Sequence, residues 1–75
     1  MIEITAAELS SDHLDKQASA SWRGVWSVPF RLKTFESVTR TNPDGSQTLI
    51  QRTVIFANGT QITCKPHDLK LRIWL

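Results

Sequence analysis

From residue 17 to the C-terminal end, apolar side chains recur at every second position, and that period commits the chain to strands. Ala18, Ala20 and Trp22 alternate with Gln17, Ser19 and Ser21 in a first strand that ends at Arg23-Gly24. Trp26, Val28, Phe30 and Leu32 alternate with Ser27, Arg31 and Lys33. At Phe35 the phase slips and Phe35 and Val38 become the apolar positions, so this second strand is long and carries a bulge or bend. Pro29 has no amide to donate and fits only an edge or a non-pairing site of that strand. The third strand, Thr48 to Phe56, is apolar on both phases at its centre (Leu49, Ile50, Val54, Ile55), which implies burial on two sides. Thr60 to Lys65 forms the fourth. The last, Leu69 to Leu75, sets Leu69, Leu71, Ile73 and Leu75 on one face and Lys70, Arg72 and Trp74 on the other.

The punctuation agrees with the period. In Asn42-Pro43-Asp44-Gly45 the proline presets φ at the second turn position and the glycine supplies a left-handed exit. Asn58-Gly59 is a strong short hairpin signal and demands tight antiparallel pairing of the strands it joins. Lys65-Pro66-His67-Asp68 reads as one turn of 3₁₀ helix before the last strand. Ahead of the strands, Thr5 with Glu8 forms a capping box flanked by Ile4 and Leu9 at staple positions, and Ser10 starts the same pattern again with Leu9 and Leu14. Two short helical turns, Ala6 to Leu9 and Ser11 to Leu14, are expected there. His13 would lay its ring against the barrel or reach back to the Ser10 cap, as a Glu or Gln does.

Open sheet edges are a liability in a chain of 75 residues, and closure removes them. The expected fold is therefore mainly β: a small five-stranded antiparallel SH3-like or Sm-like barrel, residues 16–75, with a helical N-terminal clamp over residues 1–15, all one domain. An OB-type barrel would want a longer chain and a helix between its third and fourth strands. No covalent staple supports the core, because Cys64 is the sole cysteine. A lone thiol, no apolar run long enough to span a bilayer and no basic-then-apolar N-terminus together lead us to expect a cytoplasmic protein without a membrane segment.

The net charge of +2 conceals an asymmetry. Residues 1–15 carry Glu3, Glu8, Asp12 and Asp15 with no lysine or arginine, whereas the remaining residues hold all nine cations and a balance of +6. An acidic segment docked on a basic body, or a nucleic-acid surface, both follow from that split.

The opening Ile4-Thr5-Ala6-Ala7-Glu8-Leu9-Ser10-Ser11-Asp12-His13-Leu14 resembles the start of small β-barrel proteins of actinobacterial phages and prophages, where Ile-Thr-x-x-Asp-Leu-Thr-x-Asp-His-Ile/Val-Gly precedes the strands. Phe35 to Arg40 and Ile62 to Leu71 are similar to the second and last strands of that group. The resemblance implies a fold and a phage or prophage origin rather than an activity. Asp15 stands where the group has glycine, a position that an αL cap disfavours for other residues.

No constellation for catalysis emerges. Cys64-x-x-His67 is half a zinc site with too few further ligands, and no glycine-rich loop or oxyanion site accompanies it as a nucleophile pair. No enzyme activity, metal, cofactor or small-molecule substrate is expected. Two binding readings remain. Three tryptophans and three phenylalanines exceed what so narrow a barrel can bury, making Trp22, Trp26 and Trp74 candidate anchors for a protein partner or for self-association. Self-association would run through strand edges near Trp74 and Pro29. Alternatively Arg31, Lys33, Lys70, Arg72 and Trp74 offer phosphate contacts and a stacking platform for RNA or single-stranded DNA.

Overall fold

In the computed structural model, which describes residues 1–75, the alternation is realised as seven strands rather than five. They are β1 (Ile2–Thr5), β2 (Gln17–Trp22), β3 (Val25–Trp26), β4 (Phe30–Thr41), β5 (Gln47–Phe56), β6 (Gln61–Cys64) and β7 (Lys70–Trp74). Two 3₁₀ turns, Ala6–Glu8 and Ser11–His13, separate β1 from β2. All pairings are antiparallel in one sheet of order β1-β7-β2-β4-β5-β6, with β3 folded back on β2. The ladder is open: β1 and β6 end it without pairing to each other.

Two of the extra strands have local causes. Ile2-Glu3-Ile4-Thr5 alternates like any other strand and pairs Ile2 with Ile73 and Ile4 with Leu71, so β7 lies inside the sheet instead of at its rim. The expected long second strand is broken in two because Ser27 to Pro29 bends away between β3 and β4, where the proline has no ladder to disturb. The phase slip falls at Lys33, which has no partner between the pairs Leu32–Phe56 and Thr34–Ile55.

The core is built by placing small residues opposite large ones: Ala18 faces Ile73 and Ala20 faces Leu71 across β2 and β7. Leu32 faces Phe56, and Val54 stands between Phe35 and Ile62. Leu32, Val54, Leu71 and Ile73 are completely buried. The first 3₁₀ turn closes over this layer. Ala6, also completely buried, donates its amide to the Leu69 carbonyl (2.9 Å) and Ala7 to that of Pro66 (2.9 Å), and the turn packs against β5. The Glu8 carboxylate accepts from the Thr5 amide (3.3 Å), and His13 Nδ1 accepts from the Ser10 amide (3.1 Å), the second of the two placements open to it. Lys65 to Asp68 is a hydrogen-bonded turn (Asp68 amide to Lys65 carbonyl, 3.0 Å) and not a 3₁₀ helix.

Both long hairpins use the same three-residue loop. At the end of β4, Gly45 (φ 86°) donates to Asn42 and Asn42 to Ser46; at the end of β5, Gly59 (φ 91°) donates to Phe56 and Phe56 to Thr60. Asn58 keeps a negative φ, so Asn58-Gly59 is a turn followed by a left-handed glycine and not the two-residue loop its dipeptide suggests. That two-residue loop occurs instead between β2 and β3, where Arg23 (φ 50°) and Gly24 (φ 80°) are both left-handed.

Candidate functional site

The β2–β3 hairpin extends past the core. Alternation places Trp22 and its cross-strand neighbour Val25 on the side of Ala20, the core-facing side, yet they are 69% and 71% exposed. Ile62 of β6, the edge strand three places along the sheet from β2, faces the same space. Ala20, Trp22, Val25, Trp26 and Ile62, with Arg23, line an apolar groove of about 470 Å³. No carboxylate lines it. Beside it runs β6, whose outer edge has no neighbouring strand.

Trp26 is held from behind. It pairs with Ser21 and so shares the outward side of β2 with Ser19, whose neighbour across the ladder is Arg72. The Arg72 guanidinium lies over the Trp26 ring, 4.0 Å from its centroid, a desolvated cation–π contact that half-buries the indole. Beneath them Ser19 is only 2% exposed; its hydroxyl donates to the Ser27 carbonyl, and the Ser27 hydroxyl accepts from the Ala20 amide (3.1 Å). Trp22 and Trp26 therefore border the groove from opposite faces of the hairpin, Trp22 exposed with the Arg23 guanidinium 5.8 Å from its ring centroid and Trp26 clamped by Arg72. Trp74 does not join them. It sits opposite Gln17, four residues and roughly 13 Å down β2 from Ser21.

The basic residues do share a face, though not alone. Gln17 has Arg31 on one side and Trp74 on the other, and Ser19–Arg72–Glu3 forms the adjacent row. Arg31 is paired with Asp15 at 3.6 Å across the exposed surface. Lys70 lies in a polar cleft with Glu3 and Glu8. Lys33 is the bulged residue. Three carboxylates of the N-terminal segment thus interleave with Arg31, Lys70 and Arg72.

Cys64 and His67 do not converge on anything: no three His, Cys, Asp or Glu side chains come together in the chain. The Cys64 thiol is half-buried, donates to the Arg52 carbonyl at 3.6 Å, and is pushed above the ordinary thiol range by burial and by the charge of Asp68. No helix is long and apolar enough to cross a membrane. Val25 and Ile62 complete the groove without a local signal, because one wall comes off the central strand β2 and the other is the edge strand β6. The chain matches no family model, no curated protein and no solved structure.

Proposed function

We propose that this protein is a non-enzymatic binding module that takes an extended apolar segment of another protein into the groove between the β2–β3 hairpin and β6. One observation carries the reading: Trp22 and Val25, core-facing by alternation, stand exposed over an unfilled apolar space beside a free strand edge. A segment added to β6 from Gln61 to Cys64 would satisfy its outward backbone groups and drop every second side chain toward Ile62 and Trp22. Arg23 is the charged group at the groove, so an acidic flank on that segment is favoured. The first 3₁₀ turn on β5 draws the ends of the sheet toward each other, and we read the sheet as an SH3-like barrel left open on the groove side. The likeness of Ile4 to Leu14 to phage and prophage barrels extends the proposal to an accessory protein of that origin, working in the host cytoplasm.

The competing reading, RNA or single-stranded DNA on Arg31, Lys33, Lys70, Arg72 and Trp74, is weakened by Glu3, Glu8 and Asp15. They reduce the field a phosphate backbone would meet. Selection from a library of extended peptides, followed by amide-exchange mapping, tests the choice. Peptides with alternating apolar residues and an acidic flank should protect the amides of β6 and lose binding to Trp22→Ser. Failure to enrich any peptide, together with a salt-sensitive oligonucleotide complex that Trp22→Ser leaves intact and Lys70→Glu abolishes, would replace the protein reading by the nucleic-acid one.

A further inference from the structure

The outer half of the β4–β5 hairpin stands apart from the rest of the molecule. A 12-residue strand spans roughly 40 Å, and the long axis of the protein is 41 Å against 25 and 23 Å for the others. The arm is what makes it long. β2 pairs with β4 only at Phe30 and Arg31, the Leu32 amide and carbonyl beyond them bond to Lys16 and Asp15, and β6 pairs with β5 only from Arg52 to Ile55, so past Leu32 and Arg52 the arm is a two-stranded ribbon with both edges bare. Ribbons of two strands are marginal on their own, and a bare edge is a template for another strand.

The two edges are not equivalent. On β5 the register passes from Gln51 to Leu49 and leaves Ile50 unpaired, a bulge that spoils that edge for pairing. On β4 the bulge at Lys33 comes before the arm begins, and although the β5 bulge falls opposite the Val38–Thr39 step, every residue from Thr34 to Thr41 keeps a partner, so the extra residue lies on β5 and not on this edge. Glu36, Val38 and Arg40 therefore project from one face of a regular free edge, all three exposed, with the valine 47% accessible.

That triplet is complementary to itself. Glu36 and Arg40 are four strand residues apart, roughly 13 Å, too far to pair within the chain. The sole intrachain ion pair is Arg31–Asp15. In an antiparallel pairing of two β4 edges about a two-fold axis at Val38, each Glu36 falls opposite Arg40 of the second copy, and the two valines face each other. Directly opposed cross-strand residues bring their Cβ atoms to about 5 Å, where opposite charges attract and like charges repel.

We propose that a second copy of this chain occupies the β4 edge, in an antiparallel two-fold pairing centred on Val38 that joins the two sheets. The pairing is isologous, so it closes at a dimer and gives no open fibre. It uses neither the groove nor β6, and stands or falls independently of the peptide-binding reading.

Charge exchange at these exposed positions tests it. The wild-type protein should sediment with a concentration-dependent mass rising toward twice 8.5 kDa. Glu36→Arg sets arginine against arginine, Arg40→Glu sets glutamate against glutamate, and each should hold the protein at monomer mass while keeping the melting temperature that the wild type shows when dilute enough to be monomeric. The double variant Glu36→Arg/Arg40→Glu restores both opposed pairs and should recover the dimer, while Trp22→Ser leaves it untouched. A wild type that remains monomeric at every concentration overturns the proposal. So does a dimer indifferent to both single changes, or a double variant that stays monomeric.

Discussion

Two loops of the same design end two hairpins of this protein, and they stand in opposite surroundings. Pro43-Asp44-Gly45 turns the tip of the arm, where Glu36 to Thr41 on one strand and Ser46 to Thr48 on the other are exposed. Ala57-Asn58-Gly59 turns beside Phe56, which is 3% exposed and packs on Leu32. Each loop has an Asx side chain accepting the amide two residues on, Asp44 from Ser46 (2.9 Å) and Asn58 from Thr60 (3.0 Å). Since the local chemistry matches, any difference in what the loops contribute comes from the core beneath one of them. Turn signals decide where a chain reverses; burial decides whether the reversal is coupled to the fold as a whole.

The largest effect expected from this contrast lies at the root of the β4–β5 hairpin. Leu32→Ala deletes a completely buried side chain at the junction of β2, β4 and β5 and should cost about 3 kcal/mol. A domain of this size holds only about 5 kcal/mol or so, and the loss should lower the melting temperature by on the order of 15 °C. Val38→Ala, six residues farther along the same strand, should stay within about 0.5 kcal/mol. Equal losses at the two sites, measured by denaturant titration, would mean that the arm is part of the cooperative core.

This contrast also separates what the residues disclose from what they do not. The strands from Thr48 onward, the reversals at Gly45 and Gly59, the glycine exit at the first of them and the slip before Phe35 follow from period and turn chemistry, because each is a local property; the three-residue form of the loop at Gly59 does not. β1 was hidden under the capping signals of Thr5 and Ser10: four alternating residues are too few to stand out until Ile73 and Leu71 are seen beside them. The break at Ser27 to Pro29 is masked by apolar residues that keep their alternation through it. In the candidate groove, Trp22 announces itself beside a turn, but Ile62 reaches it only through the curl of the sheet. Trp26 is half-buried by Arg72, a residue 46 positions away, which no local pattern can report.

A smaller effect separates the loops themselves. Gly59→Ala and Gly45→Ala place a Cβ in open space, with nothing within 4 Å in either case, so the cost is left-handed backbone strain alone, about 1 kcal/mol or somewhat more. At Gly59 that strain should appear in full as lost global stability, because the loop cannot relax without moving Phe56. At Gly45 the tip can fray while the core stays folded, and the global loss should fall below about 0.5 kcal/mol. Hydrogen exchange offers the same test without mutation. Amides of Leu71 and Val54 should exchange only through global unfolding, those of Thr41 and Gln47 through local opening. Matching protection at all four would erase the distinction.

The smallest effect is a titration confined to the tip. The Asp44 carboxylate accepts from the Ser46 hydroxyl (2.6 Å) and the Ser46 amide (2.9 Å), and these bonds, the hydroxyl first, hold its pKa below the usual carboxylate range. A depressed folded-state pKa means that the ionised form favours the closed loop. The contribution is complete above the unfolded carboxylate value and is lost as pH falls through the lower, folded one, a window below about pH 4. Because Asp44 is exposed and the tip is uncoupled from the core, the consequence should be local. The Ser46 and Gly45 amide resonances should shift with a midpoint below that of a free aspartate, Asp44→Asn should abolish the shift, and the melting temperature measured across the same window should not follow it. A melting temperature that falls with the Asp44 titration in wild type and loses that fall in Asp44→Asn would show the arm to be coupled to the core. Repeating the titration with the monomeric variant Glu36→Arg would then show whether the coupling runs within one chain or through the dimer proposed on β4, since pairing of the arm with a second copy also makes a local opening global.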